Sequence, residues 1–181
     1  MLYRPPGIGA PGRVDLNKTS TEGVYEIDAN ASLPTRDWPM VIVGHGNQSG
    51  GAVWASSQLF TVKAEAPFVV GTIDNTKTQQ GQTAQVVVNL EHARDWQGQG
   101  ELKLLGLPAH AKAEPITIKP GQEKATFKLN VSEKTPARNY KSLMCELTIQ
   151  VNGEPVIHRF GQGGRLRVER PGKDNAQAKG K

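Results

Sequence analysis

Short runs of alternating apolar and polar residues fill the middle of the chain. Thr83–Glu91 (TAQVVVNLE), Gly100–Leu105 (GELKLL), Ala113–Lys119, Lys124–Val131 (KATFKLNV) and Tyr140–Val151 all have strand composition, and most keep a period of two. That period sends successive side chains to opposite faces of a pleated strand, so each run predicts a strand with one face in a core. Turn formers separate the runs: Gln97–Gly100, Pro120-Gly121 and Asn152-Gly153. The last sits between TIQV and EPVIHRF, where Asn-Gly predicts a tight hairpin because both residues tolerate positive φ. No segment holds a helical period beyond a turn or two. About seven short strands in roughly 100 residues predict an all-β, two-sheet antiparallel sandwich of immunoglobulin-like type.

The chain also resembles itself. Setting Leu16 against Ile118, an offset of 102, brings Tyr25 onto Phe127, Ile27 onto Leu129 and Ala29 onto Val131. Further along, Pro34 meets Pro136, Arg36 meets Arg138, Asp37 meets Asn139 and Trp38 meets Tyr140; backwards, Pro6 meets Pro108 and Leu2 meets Leu104. Self-similarity at a fixed offset predicts tandem sandwiches. Trp38 and Tyr140 would each pack a ring in the corner that opens the penultimate strand, Tyr140 bonding its hydroxyl to upstream backbone. The domains expected are 1–64, the C-terminal part of a sandwich; 65–170, a complete one; and 171–181, a disordered basic tail. Val62–Pro67 (VKAEAP) reads as the linker between copies.

The first copy has no counterpart of residues 68–103, so it predicts an incomplete sandwich with an unpaired sheet edge. The partners expected are neighbouring domains of a larger parent, or another protein adding a strand to that edge. On this reading the chain is the C-terminal piece of a longer polypeptide; a chain that starts natively at Met1 would instead need a partner to complete its first sandwich.

Composition and charge narrow the function classes. No apolar run approaches the roughly 20 residues of a membrane helix, so no membrane insertion is expected. The lone Cys145 excludes an intrachain disulfide framework and a cysteine-rich zinc site. The net charge of +5 suggests a polyanion partner until it is divided along the chain. Residues 165–181 carry six basic and two acidic groups, and residues 1–164 carry 16 and 15. The body is balanced, and the tail has no aromatic residue to stack on a base, so nucleic acid is not an expected partner.

Candidate chemistry is sparse. His45, His92, His110 and His158 stand far apart and form no HExxH pair. Ser49, in GHGNQSGG, lacks the GxSxG frame of a nucleophile elbow and reads as part of a long hairpin loop. Glu26 and Asp28 share a strand face but do not make the oxygen-rich run a calcium site needs. No catalytic residue, metal ligand or cofactor is expected. A glycan is the second candidate partner, because sugar rings stack on exposed planar aromatics. With Trp38 assigned to a corner, Trp96 and Trp54 are the candidate ligand-binding rings.

Six segments carry a resemblance: Arg4–Pro11 (RPPGIGAP), Glu22–Ala31 (EGVYEIDANA), Val53–Leu59 (VWASSQL), Leu104–Pro108 (LLGLP), Ala113–Ile116 (AEPI) and Asn152–His158 (NGEPVIH). Together they resemble the C-terminal immunoglobulin-like repeats of large exported bacterial proteins, many of which carry a bacterial pre-peptidase C-terminal (PPC) domain upstream. The resemblance covers roughly residues 2–170. It implies a non-catalytic structural or interaction module, secreted, periplasmic or on the cell surface. The chain departs from that pattern in having neither the upstream domains nor an export signal.

Overall fold

The computed structural model describes residues 4–30 and 32–171, and every regular element among them is a β-strand. Leu2, Met1 and the tail from residue 172, on which three of the sequence expectations fall, lie outside the described residues. The chain divides into two compact units, Met1–Ala66 and Pro67–Lys181.

The first unit contains β1 (Ile8–Gly9), β2 (Asp28–Ala29), β3 (Asp37–Met40), β4 (Val43–Gln48), β5 (Gly51–Ser56) and β6 (Phe60–Lys63). They pair only two by two: β1 with β2, β3 with β6, and β4 with β5. Its core is small, with Ile8, Trp38 and Met40 buried and Leu33, Val62 and Ala64 packed against them. Val62 stands opposite Trp38, and the Ala64 amide donates to the Arg36 carbonyl at 3.0 Å. The expected linker is therefore corrected at its start: Val62 and Lys63 belong to a strand, because Val62 is needed against the tryptophan.

The second unit contains β7 (Val69–Ile73), β8 (Thr76–Gln79), β9 (Thr83–His92), β10 (Gly100–Leu105), β11 (Ala111–Ala113), β12 (Ile116–Ile118), β13 (Lys124–Val131), β14 (Asn139–Val151) and β15 (Glu154–Glu169). One sheet runs β11-β13-β9-β7 and the other β12-β10-β14-β15-β8. β13 alternates exposed and buried residues without exception, and its inner face (Ala125, Phe127, Leu129, Val131) meets Leu102, Leu147 and Ile149 of the other sheet in one core. Fully burying a side chain such as Phe127 or Leu147 contributes roughly 1.5–3 kcal/mol.

Three details differ from the sequence expectation. The segment Ala113–Lys119 is not one strand. It breaks at Glu114-Pro115, where Pro115 has no N–H for a ladder, and β11 pairs with β13 while β12 pairs with β10. The sandwich is also not wholly antiparallel, because β8 runs parallel to β15. The first stretch of the unit thus starts in one sheet as β7 and crosses to the other as β8. Finally, β14 and β15 are long, 13 and 16 residues, and stay paired through register shifts between Tyr140 and Cys145. Glycine makes this possible: Gly161 and Gly163 have positive φ, and a Cβ on Gly164 would press on Ile73 and Leu143.

Hydrogen bonds recur in both units. Ile8 N donates to Pro5 O at 3.1 Å as Ala111 N does to Pro108 O, and Asn30 N to Gly7 O at 3.0 Å as Ser132 N to His110 O at 3.1 Å. Leu33 N donates to Asn30 O as Thr135 N does to Ser132 O, both at 3.0 Å. Gly7 and His110 both have positive φ, 88° and 64°. These pairs correct the alignment, since Pro5 rather than Pro6 is the counterpart of Pro108. The offset is 103 around β1, 102 at the corner, and 104 by β6, where Val62 opposite Trp38 answers Leu166 opposite Tyr140. The extra residues of the second unit are taken up by its bulges.

Candidate functional site

The two corners come out alike. Trp38 Nε1 donates to Pro34 O at 3.2 Å, and Tyr140 Oη donates to Pro136 O at 2.7 Å. An arginine lies over each ring, with Arg36 3.7 Å from the Trp38 centroid and Arg138 4.8 Å from that of Tyr140. Indole and phenol differ in shape, yet each offers a ring to bury and one N–H or O–H to satisfy. These are packing residues.

Trp96 is not the exposed ring that glycan stacking needs. It is buried, donates from Nε1 to His92 Nδ1 at 3.1 Å and lies nearly parallel to the imidazole. With Nδ1 accepting, the other nitrogen, Nε2, donates to Gln122 O at 2.9 Å. Gly100, which has no side chain, leaves room for the indole over Leu147 and Ile149. The polar sequence around Trp96 hid this, because the loop folds over the end of the sandwich and uses the ring as a plug.

Trp54 is exposed, at 64% of its surface. It sits on β5 directly opposite His45 of β4, with ring centroids 4.9 Å apart and tilted by 36°. The GHGNQSGG stretch, read as a long loop, is mostly strand. Only Ser49 and Gly50 turn, both at positive φ, and β4 and β5 pair from Val43 with Ser56 to Gln48 with Gly51. The structure brings Trp54 and His45 together, keeps Trp96 in the other unit, and places Trp38 and Tyr140 in corners.

The remaining titratable groups are scattered. His158 is partly buried beside Phe68, has no partner for Nε2 among the described residues, and is held below its ordinary pKa by burial. Cys145 is buried in the sandwich, and burial pushes its thiol up to about 12. Among the described residues no three His, Cys, Asp or Glu side chains converge.

The feature that sequence reasoning half saw is a set of exposed apolar side chains in the first unit. Leu16, Ile27 and Ile42 are exposed by 59%, 42% and 44%, whereas Ile118, Leu129 and, counting back from the matching turns Ser49-Gly50 and Asn152-Gly153, Cys145 are fully buried in the second unit. In the second unit, β9 pairs with β13 and β10 pairs with β14. No described strand of the first unit takes either place. The alternation at Tyr25, Ile27 and Ala29 therefore yields only the two-residue β2, paired to β1 and to nothing on its other side. Among the described residues, the outer edge of β4 is equally free. A two-residue turn makes Gln48–Gly51 a hydrogen-bonded pair, so the main-chain groups of Val43, His45 and Asn47 point away from β5.

No family model matches the chain, and no curated protein matches it. Among solved structures, domains 4 and 5 of the S-layer protein SbsC are similar over 85% of this chain and 89% of that one, at 14% identity and a TM-score of 0.30. A likeness that loose carries no argument about function.

Proposed function

We propose that this chain is a non-catalytic structural and docking module of an exported or cell-surface bacterial protein, built from tandem immunoglobulin-like sandwiches. The observation that carries the reading is the contrast between exposed Leu16, Ile27 and Ile42 and their buried counterparts. A first unit that leaves these apolar side chains exposed, with β4 paired to no second strand among the described residues, is suited to receiving a strand. The immunoglobulin-like part of the reading is supported by the sheet orders, the first strand split between sheets and the tyrosine corner. The extracytoplasmic location rests on the family resemblance. The non-catalytic part rests, like the location, on the family resemblance.

A peptide with the β10 sequence, residues 99–107, tests the docking reading. Added to the intact chain, it should slow hydrogen exchange at the amides of Val43, His45 and Asn47, and Asn47→Pro should abolish the effect by removing an outward N–H. Unchanged exchange at saturating peptide would count against it. A glycan-binding reading keeps one support, exposed Trp54 against His45. It requires a glycan retained by the chain and lost on Trp54→Ala; retention that survives the substitution rejects it.

A further inference from the structure

The two units share a plan but differ in what one sheet face carries. Where the first unit has Asp37, Pro39, Thr61 and Lys63, the second has Asn139, Lys141, Arg165 and Arg167. One carboxylate is lost and two cations are gained, so these four positions go from neutral to a net +3. Lys77 of β8 adds a fourth cation and stands directly opposite Arg167. Like charges facing each other across a ladder are destabilising. In the first unit the residue opposite Lys63 is Asp37, and in the second the residue opposite Arg167 on β14 is Asn139, which cannot compensate.

Neighbouring carboxylates do not neutralise the face. Glu169 Oε2 lies 3.1 Å from Lys77 Nζ, and its Oε1 lies 2.8 Å from Arg167 Nε, so one acid is divided between two bases. Asp74 is engaged by Asn89 Nδ2 at 2.8 Å. Lys141 and Arg165 have no ion-pair partner among the described residues. Asn75, Lys77, Asn139, Lys141, Arg165 and Arg167 line an open cleft of about 290 Å³.

We propose that this cleft binds a phosphate-bearing polyanion. The residues lining it carry two guanidinium forks, two ammonium groups and two amides, a donor set that suits tetrahedral oxyanions. No aromatic side chain lines it, so the ligand is recognised by charge and oxygen geometry and not by stacking. The second unit carries this face over a corner and a strand pairing that the first unit has without it.

The test is calorimetric titration of the full chain with short-chain inorganic polyphosphate at low ionic strength. Binding is expected, weakening as salt is added. Lys141→Gln with Arg165→Gln should reduce affinity by about tenfold or more. Lys112→Gln with Lys128→Gln removes the same charge from the other sheet and should change affinity by less than about twofold. Asn139→Asp, which restores the carboxylate of the first unit, should also weaken binding and keeps the test sound should the double variant unfold. Absence of binding at low salt, equal losses in both double variants, or equally tight binding of polyglutamate would overturn the proposal.

Discussion

At the scale of single residues, the second unit depends on polar atoms that are satisfied by one bond each. Tyr140 donates only to Pro136 O, so Tyr140→Phe removes a net hydrogen bond while keeping the ring in place. The expected cost is about 1 kcal/mol, read as a lower urea midpoint with an unchanged slope. His158 behaves differently, because burial keeps it neutral below its ordinary pKa of 6.5. As pH falls the unfolded chain takes up that proton first, so the stability this residue confers is complete above the unfolded value and is lost as pH falls through the folded one. Urea midpoints measured from pH 7 to 5 should therefore fall more steeply for the native chain than for His158→Leu. Parallel curves would show that His158 is not the group responsible.

At the scale of elements, the two hairpins make the same turn with different residues. Ser49-Gly50 and Asn152-Gly153 both place positive φ at both central positions. Asparagine tolerates that region better than serine, so Ser49→Asn should favour the β4–β5 ribbon. The check is slower hydrogen exchange at Gly46 and Val53, a hydrogen-bonded pair of this hairpin. Asn152-Gly153 was legible as a hairpin because the dipeptide itself demands the turn. GHGNQSGG was not, because its glycines look like loop, and only pairing with GAVWAS makes them strand. Ala113–Lys119 erred in the opposite direction. Its composition suits a strand, but Pro115 forces a break, and which sheet each half joins depends on β10 and β13.

At the scale of the whole molecule, the units differ in how much apolar surface they bury. The second has a large continuous core, and the first, among the described residues, has a small cluster around Ile8, Trp38 and Met40 with a few partly buried neighbours. Local opening is cheapest where few apolar contacts must be broken. Amides in β3 and β6 should therefore exchange faster than those in β13 and β14, and the first unit should lose structure at a lower urea concentration. Equal protection in both would mean that something beyond its own core supports the first unit.

The sequence by itself determined the class of structure, the strands with strict alternation and both corners. Each of these is written in local order: a period of two, an Asn-Gly dipeptide, a proline four residues before an aromatic ring. The tertiary structure alone decided that Trp96 is a plug and not a platform, that Lys63 is strand and not linker, and that Arg167 faces Lys77. It also decided that Leu16 and Ile27 remain exposed although their pattern is that of a core. Burial and charge proximity depend on residues far away in the chain, and periodicity fixes which face a side chain takes but not what stands opposite it.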